Sequence, residues 1–205
     1  MGIAPSDRSM RSSYHSEQWL PHPPELVFAF LSNPENRPRL MPRWQRARIE
    51  EATIVPPPPR LDAQPALSGT ARKRTTIFTA GTGSRLTLSF RPFPYSPLRV
   101  AWEAEITEFV WNRRLCYRQL RGPCAYWNHL RSIEPQARQT ETGEVEQGTL
   151  LRDEIEYELP LGALGQLAQR LFVERRLRAA FEFRHQRTCE LLALMVVTNA
   201  RLGLS

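Results

Sequence analysis

Long apolar runs are missing from this chain. No stretch approaches the roughly 20 apolar residues that a membrane-spanning helix needs. The first twenty residues, MGIAPSDRSMRSSYHSEQWL, hold no apolar core and do not read as a secretory signal. Cysteine is scarce: Cys116, Cys124 and Cys189 are odd in number and show no CxxC spacing. That excludes a zinc cage and points to reduced thiols in a cytoplasmic protein, with no metal site expected. There is no HExxH motif, no phosphate-cradling glycine loop and no dinucleotide fingerprint, so no cofactor is expected either. No internal repeat is present.

Lysine is nearly absent as well. Lys73 is the only one, and arginine supplies the rest of a net charge of +7. The simplest reading is a solvated basic surface. The sharper one is an anionic partner, for which Arg37, Arg39, Arg43, Arg46 and Arg48, with Trp44 among them, form the densest patch. No nucleic-acid motif accompanies the patch, so nucleic acid is not expected as a partner. A membrane surface stays open, as does the oligomeric state.

What is present is a succession of strand-like segments. At 205 residues and 41% hydrophobic content the chain suits one soluble domain with a sizeable core. Residues 1–10 are expected to be a disordered tail, and residues 11–200 a single domain. A first strand over 11–20 ends at Pro21. Pro24 ahead of an apolar run starts a short helix over 24–31, and a second covers 34–40. Strands are expected at 44–54, 69–79, 84–91, 99–109, 113–120, 124–134 and 148–158. They are separated by a proline-rich surface loop at 55–68, by glycine and proline turns, and by the polar stretch 136–147. The last segment is helical from 162 to 197. Its apolar stripe changes phase, which predicts a break near 170–173. The expected fold class is α+β: a curved antiparallel sheet of about seven strands wrapped around a long C-terminal helix.

Alternation along the strands assigns an inner face. Leu86, Leu88 and Phe90 share it, as do Trp102, Ala104 and Ile106, and Leu115, Tyr117 and Gln119. In 148–158, Leu151, Asp153, Ile155 and Tyr157 oppose the plainly solvated Arg152, Glu154, Glu156 and Glu158. In the segment GPCAYWNHLRSI, residues 122–133, Trp127, His129, Arg131 and Ile133 recur with a period of two, so an inward Trp127 brings His129 and Arg131 with it. On the final helix, Arg184 falls within the stripe of Leu177, Phe181, Thr188 and Leu191. Unpaired buried charges are costly, so Asp153 is expected to pair with Arg131 or Arg184, with His129 and Tyr157 nearby. Such a network either holds helix to sheet or lines a cavity that orients a mostly apolar ligand. Cys124 is expected to point away from that face, and His15, His22 and His185 are expected to be exposed.

These residues also carry a family pattern. Trp19-Leu20, Val27-Phe28 and Phe30, Trp102, Ile106 and Glu108, then Gln119, Gly122, Pro123, Trp127 and His129 fall in sequence. Thr149, Leu151, Asp153, Tyr157, the run Leu159-Pro160-Leu161-Gly162, Leu164-Gly165, Phe181, Phe183 and Arg184 follow. The chain resembles the SRPBCC group, the START-like or helix-grip superfamily of polyketide cyclases and lipid-transfer domains. The resemblance runs over about 15–195. Four positions depart from it: Tyr117 stands where the family has an acid, Cys124 replaces a Phe, Arg131 a second His, and Phe183 a Tyr. Roles resting on that acid or that second histidine are therefore not carried over, and the lining becomes more positive, which favours a ligand with an anionic or carbonyl end.

The resemblance implies binding of a small, mostly apolar ligand (lipid-like, polyketide-like or isoprenoid-like) for transport, sensing or sequestration. The ligand-binding candidates are Trp102, Tyr117, Gln119, Trp127, His129, Arg131, Asp153, Tyr157, Phe181 and Arg184. One alternative is a cyclase or dehydratase using His129 and Asp153 as an acid–base pair. Another is a membrane- or protein-interaction module with a filled core and an exposed apolar patch at PFPYSPL, residues 92–98.

Overall fold

The computed structural model describes residues 11–60, 79–160 and 173–201. Seven strands form one antiparallel sheet: β1 (Ser12–Leu20), β2 (Arg48–Thr53), β3 (Arg85–Phe90), β4 (Val100–Val110), β5 (Arg114–Arg121), β6 (Tyr126–Gln139) and β7 (Val145–Glu158). Their order across the sheet is β1-β7-β6-β5-β4-β3-β2. Two short helices, α1 (Pro24–Ser32) and α2 (Asn36–Arg39), follow β1, and α3 (Glu174–Arg201) closes the fold. The curved sheet, the long terminal helix and the paired short helices are the architecture that strand alternation predicts.

The sheet is a meander from β2 to β7, so each strand pairs with its sequence neighbour, and β1 closes onto β7. Irregularities bend it. The register shifts once between β2 and β3, at Ile49/Glu51, and twice between β4 and β5, at Glu103/Ala104 and Ile106/Glu108. Each extra residue bends its strand and increases twist. The second shift in β4 moves the inner face by one residue, so Phe109 is buried beyond Ile106.

Three sequence expectations are revised. Trp44 does not open β2: residues Arg43–Gln45 make a 3-10 turn, and Arg46 adopts a left-handed conformation (φ 46°) that breaks the extended chain before Arg48. The polar stretch 136–147 is largely strand, because β6 and β7 remain paired out to Gln139 and Val145. That arm projects into solvent, so its polar composition reflects exposure and not a loop. A tight turn closes it, with Gly143 at φ 85° and the Thr140 hydroxyl accepting from the Glu144 amide. The patch Arg37–Arg48 is also divided: Arg39, Arg43, Arg46 and Arg48 lie towards the surface, whereas Arg37 turns inward. The strand expected at 69–79 and the helical break expected at 170–173 lie outside the described residues but for Thr79 and Val173.

Two apolar clusters hold helix to sheet. The larger joins α1 (Val27, Phe28, Phe30, Leu31) to Leu115, Ile133 and Leu151 of the sheet and to Leu191 and Leu192 of α3. The smaller joins Ile155 and Tyr157 of β7 to Phe181 of α3, with Tyr14, Trp127 and Leu177 packed against it. Burying a large apolar side chain contributes about 1.5–3 kcal/mol, so these contacts fix where α3 crosses the sheet. Side chains on β1 then tie it down. Gln18 Nε2 donates to the His185 carbonyl at 2.9 Å, and Ser16 Oγ lies 3.1 Å from His185 Nε2. His185 is therefore packed on β1 and not exposed as expected, and burial lowers its pKa. His22 is half-buried and shifted the same way, while His15 is exposed.

Candidate functional site

Between the two apolar clusters the inner face becomes polar. Strands β5, β6 and β7 run in continuous register here, setting Tyr117 opposite His129 and Arg131 opposite Asp153. Asp153, 1% exposed, sits beneath both neighbours. Its Oδ1 accepts from Arg131 Nε at 2.7 Å and from His129 Nε2 at 2.6 Å. Burial opposes ionisation of Asp153, but the Arg131 guanidinium and the His129 donor outweigh it and hold the carboxyl well below the usual carboxylate range. His129 is only 2% exposed, and burial lowers its pKa to about 3 despite the adjacent carboxylate, with Arg131 and Arg184 adding to the shift. A neutral ring that donates from Nε2 keeps Nδ1 as its acceptor.

Arg184 does not bond Asp153. Its guanidinium lies over the Phe181 ring, 4.5 Å from the centroid. Burial, followed by repulsion from Arg131, lowers its pKa to about 9. Arg37 arrives from α2, where the Asn36 amide donates to the Phe30 carbonyl at 2.9 Å and the buried Leu40 anchors the next turn. The Arg37 guanidinium lies 3.7 Å from the centroid of the Tyr117 ring and 5.4 Å from that of Trp102. Its Nη2 is buried with no hydrogen-bond partner among the described residues.

These groups surround a cavity of about 190 Å³. Six of the ten binding candidates line it: Trp102, Gln119, Trp127, His129, Arg131 and Arg184. Asp153 lies behind the lining as the shared acceptor. Tyr117 lies under Arg37 and lines a smaller void beside it. Tyr157 and Phe181 share the inner face but belong to the smaller apolar cluster, and the buried Tyr157 hydroxyl has no partner among the described residues.

Other lining residues carry little or no signal in the sequence. Leu88 and Phe90 of β3 line the cavity, although alternation predicts only their inward orientation. Arg37, Leu40 and Met41 come from α2 and the residues after it, too short a segment for a periodic signal. Cys124 also lines the cavity, against expectation, because it sits in the turn before β6, where strand parity does not apply. Burial pushes its thiol up to about 11, so it is a protonated wall residue and a poor nucleophile. In the same turn Gly122 lets the backbone press onto two lining side chains. A Cβ there would collide with Gln119 Oε1 and come within 2.9 Å of Trp102 Cδ1. Gln119 is held by donation from Nε2 to the Cys124 carbonyl at 2.7 Å, which leaves its Oε1 buried and unpartnered among the described residues.

The loop between β3 and β4 carries exposed apolar side chains, Phe93, Tyr95 and Leu98, as the interaction alternative expects. Arg176 of α3 lies 5.2 Å over the Phe93 ring. That alternative also expects a filled interior, whereas the inner face here lines a cavity of about 190 Å³.

Comparison with known proteins agrees with this architecture. No curated protein matches the chain. Among solved structures, norcoclaurine synthase from Thalictrum flavum is similar at a TM-score of 0.54 and 13% identity, over 90% of this chain and 87% of that one. Protein CV1439 from Chromobacterium violaceum is similar at 0.52 and 14% identity, over 88% and 96%. TTHA0849 from Thermus thermophilus is similar at 0.51 and 17% identity, over 88% and 99%. At such identities these likenesses show the helix-grip fold alone. The family model described as "Polyketide cyclase / dehydrase and lipid transport" matches residues 20–182, most of the domain and nearly all of the cavity-bearing residues. The chain is thus a member of that SRPBCC-type family.

Proposed function

We propose that the protein binds a small, mostly apolar ligand in the cavity between the sheet, α2 and α3, for transport, sensing or sequestration. The observation that carries this reading is the composition of one concave surface. Trp102, Trp127, Leu88 and Phe90 supply an apolar wall, and Gln119, His129, Arg131 and Arg184 supply a few fixed polar groups. That mixture suits a site that gains affinity from apolar contact and orientation from a small number of hydrogen bonds. The family's lipid-like, polyketide-like and isoprenoid-like ligands share this apolar character.

Catalysis by His129 and Asp153 is the weaker reading. A general base works best with a pKa near the operating pH. Burial holds His129 near 3, and the Asp153 oxygen that it faces is already shared with Arg131. The pair therefore reads as a rigid floor beneath the ligand.

Native mass spectrometry of freshly purified protein tests the binding reading. The wild type is expected to carry a non-covalent adduct that is lost on denaturation. Cys124→Trp, which adds an indole, larger than the family's phenylalanine, to the cavity wall, is expected to fly without it. An adduct of equal occupancy on both proteins would place the ligand elsewhere, and a wholly unliganded wild type would count against the proposal.

A further inference from the structure

Resting on the binding reading above, we infer that the ligand is a carboxylate carrying a ring, with its anionic end at Arg37 and Arg184. Three guanidinium groups, Arg37, Arg131 and Arg184, line the cavity, and no acidic side chain does among the described residues. Only Asp153 opposes them, and it is already engaged by Arg131 and His129. No carboxylate lies within ion-pair distance of Arg37 or Arg184 among the described residues. Both are instead laid over aromatic rings, which is weaker compensation than a carboxylate provides.

Like charges gathered in a partly desolvated space repel one another, and each lowers the neighbouring pKa: Arg131 acts this way on both Arg37 and Arg184, adding to the larger effect of burial. An anion entering the cavity relieves that repulsion. Guanidinium and carboxylate match in planar geometry, so binding adds charge-assisted hydrogen bonds as well as charge balance.

Shape supplies the other half of the assignment. A cavity of about 150 Å³ holds one benzene. The volume of about 190 Å³ here takes one ring and a small substituent within its walls, and its open mouth lets a longer group extend outward. Trp102 and Trp127 supply flat apolar surface for such a ring.

Calorimetric titration of the wild type with benzoate, benzyl alcohol and palmitate tests the inference without any substitution. Benzoate is expected to bind roughly tenfold or more tightly than benzyl alcohol, the margin that a charged hydrogen bond supplies. Arg184→Gln and Arg37→Gln are each expected to remove most of that margin, read as the ratio of benzoate to benzyl alcohol affinity within the same variant. Equal affinity for benzoate and benzyl alcohol would overturn the anionic assignment and leave the cavity reading standing. Palmitate binding tighter than benzoate would overturn the ring assignment. Failure of all three probes to bind would overturn both the inference and the reading beneath it.

Discussion

Replacing Asp153 with alanine is expected to destabilise the fold by about 3–5 kcal/mol, the range for breaking a buried ion pair from one side. The carboxylate accepts from two buried donors on the neighbouring strand, Arg131 Nε and His129 Nε2. Removing it leaves a guanidinium, 3% exposed, without its counter-ion and next to two others. Most of the loss comes from stranding Arg131. Replacing the whole network with apolar side chains is therefore expected to recover much of it. The triple variant Arg131→Met, His129→Leu, Asp153→Leu should unfold at higher denaturant than Asp153→Ala. Urea denaturation at neutral pH measures both. A loss below about 1 kcal/mol for Asp153→Ala would mean that Asp153 is not the anchor of this network.

Acidification is expected to weaken the fold from about pH 6.5 downward, well before ordinary carboxylates titrate. The sign follows from His129. Its folded pKa, about 3, lies below the 6.5 of an unperturbed imidazole because of burial. Between those values the unfolded chain takes up a proton that the folded chain refuses, so stability falls as pH falls. For one such group the loss between pH 6.5 and pH 5 is about 1–2 kcal/mol. His22 and His185, also lowered by burial, act in the same direction. Asp153 does not contribute in this window: its stabilisation is present above the unfolded pKa of 3.8 and is lost only as pH falls through its depressed folded value. His129→Gln removes the titration and is expected to flatten the profile. An unchanged slope in that variant would show that His129 is accessible to protons in the folded state.

The parts of the site that are legible in the sequence lie where strand parity survives. Strands β6 and β7 pair without a register shift, so the period-two row from Trp127 to Ile133 and the alternation through Asp153 translate directly into shared faces. Arg184 is legible for a similar reason, because a 28-residue helix holds its phase for several turns. Parity does not say how far along a face each residue sits, and so Tyr157 and Phe181 share the cavity's face without lining it. Turns and very short helices have no period to read. Extending β6 backward into a turn puts Cys124 on the wrong side, and α2, only four residues long, gives no phase that separates Arg37 from its exposed neighbours. Where Arg37 points is decided by contacts distant in sequence, with Tyr117 and Trp102.

The protein contains five tryptophans, and their placement supplies the most direct test of whether this cavity is the ligand site. Trp102 and Trp127 line it, whereas Trp19 and Trp111 donate their indole N–H groups to the Gln136 and Pro58 carbonyls and Trp44 stands at the surface. In 1H–15N spectra recorded while benzoate or benzyl alcohol is added, the indole signals of Trp102 and Trp127 should shift together and saturate, and the other three should stay in place. Saturable binding that moved only Trp19, Trp44 or Trp111, or that left every indole unmoved, would contradict the account.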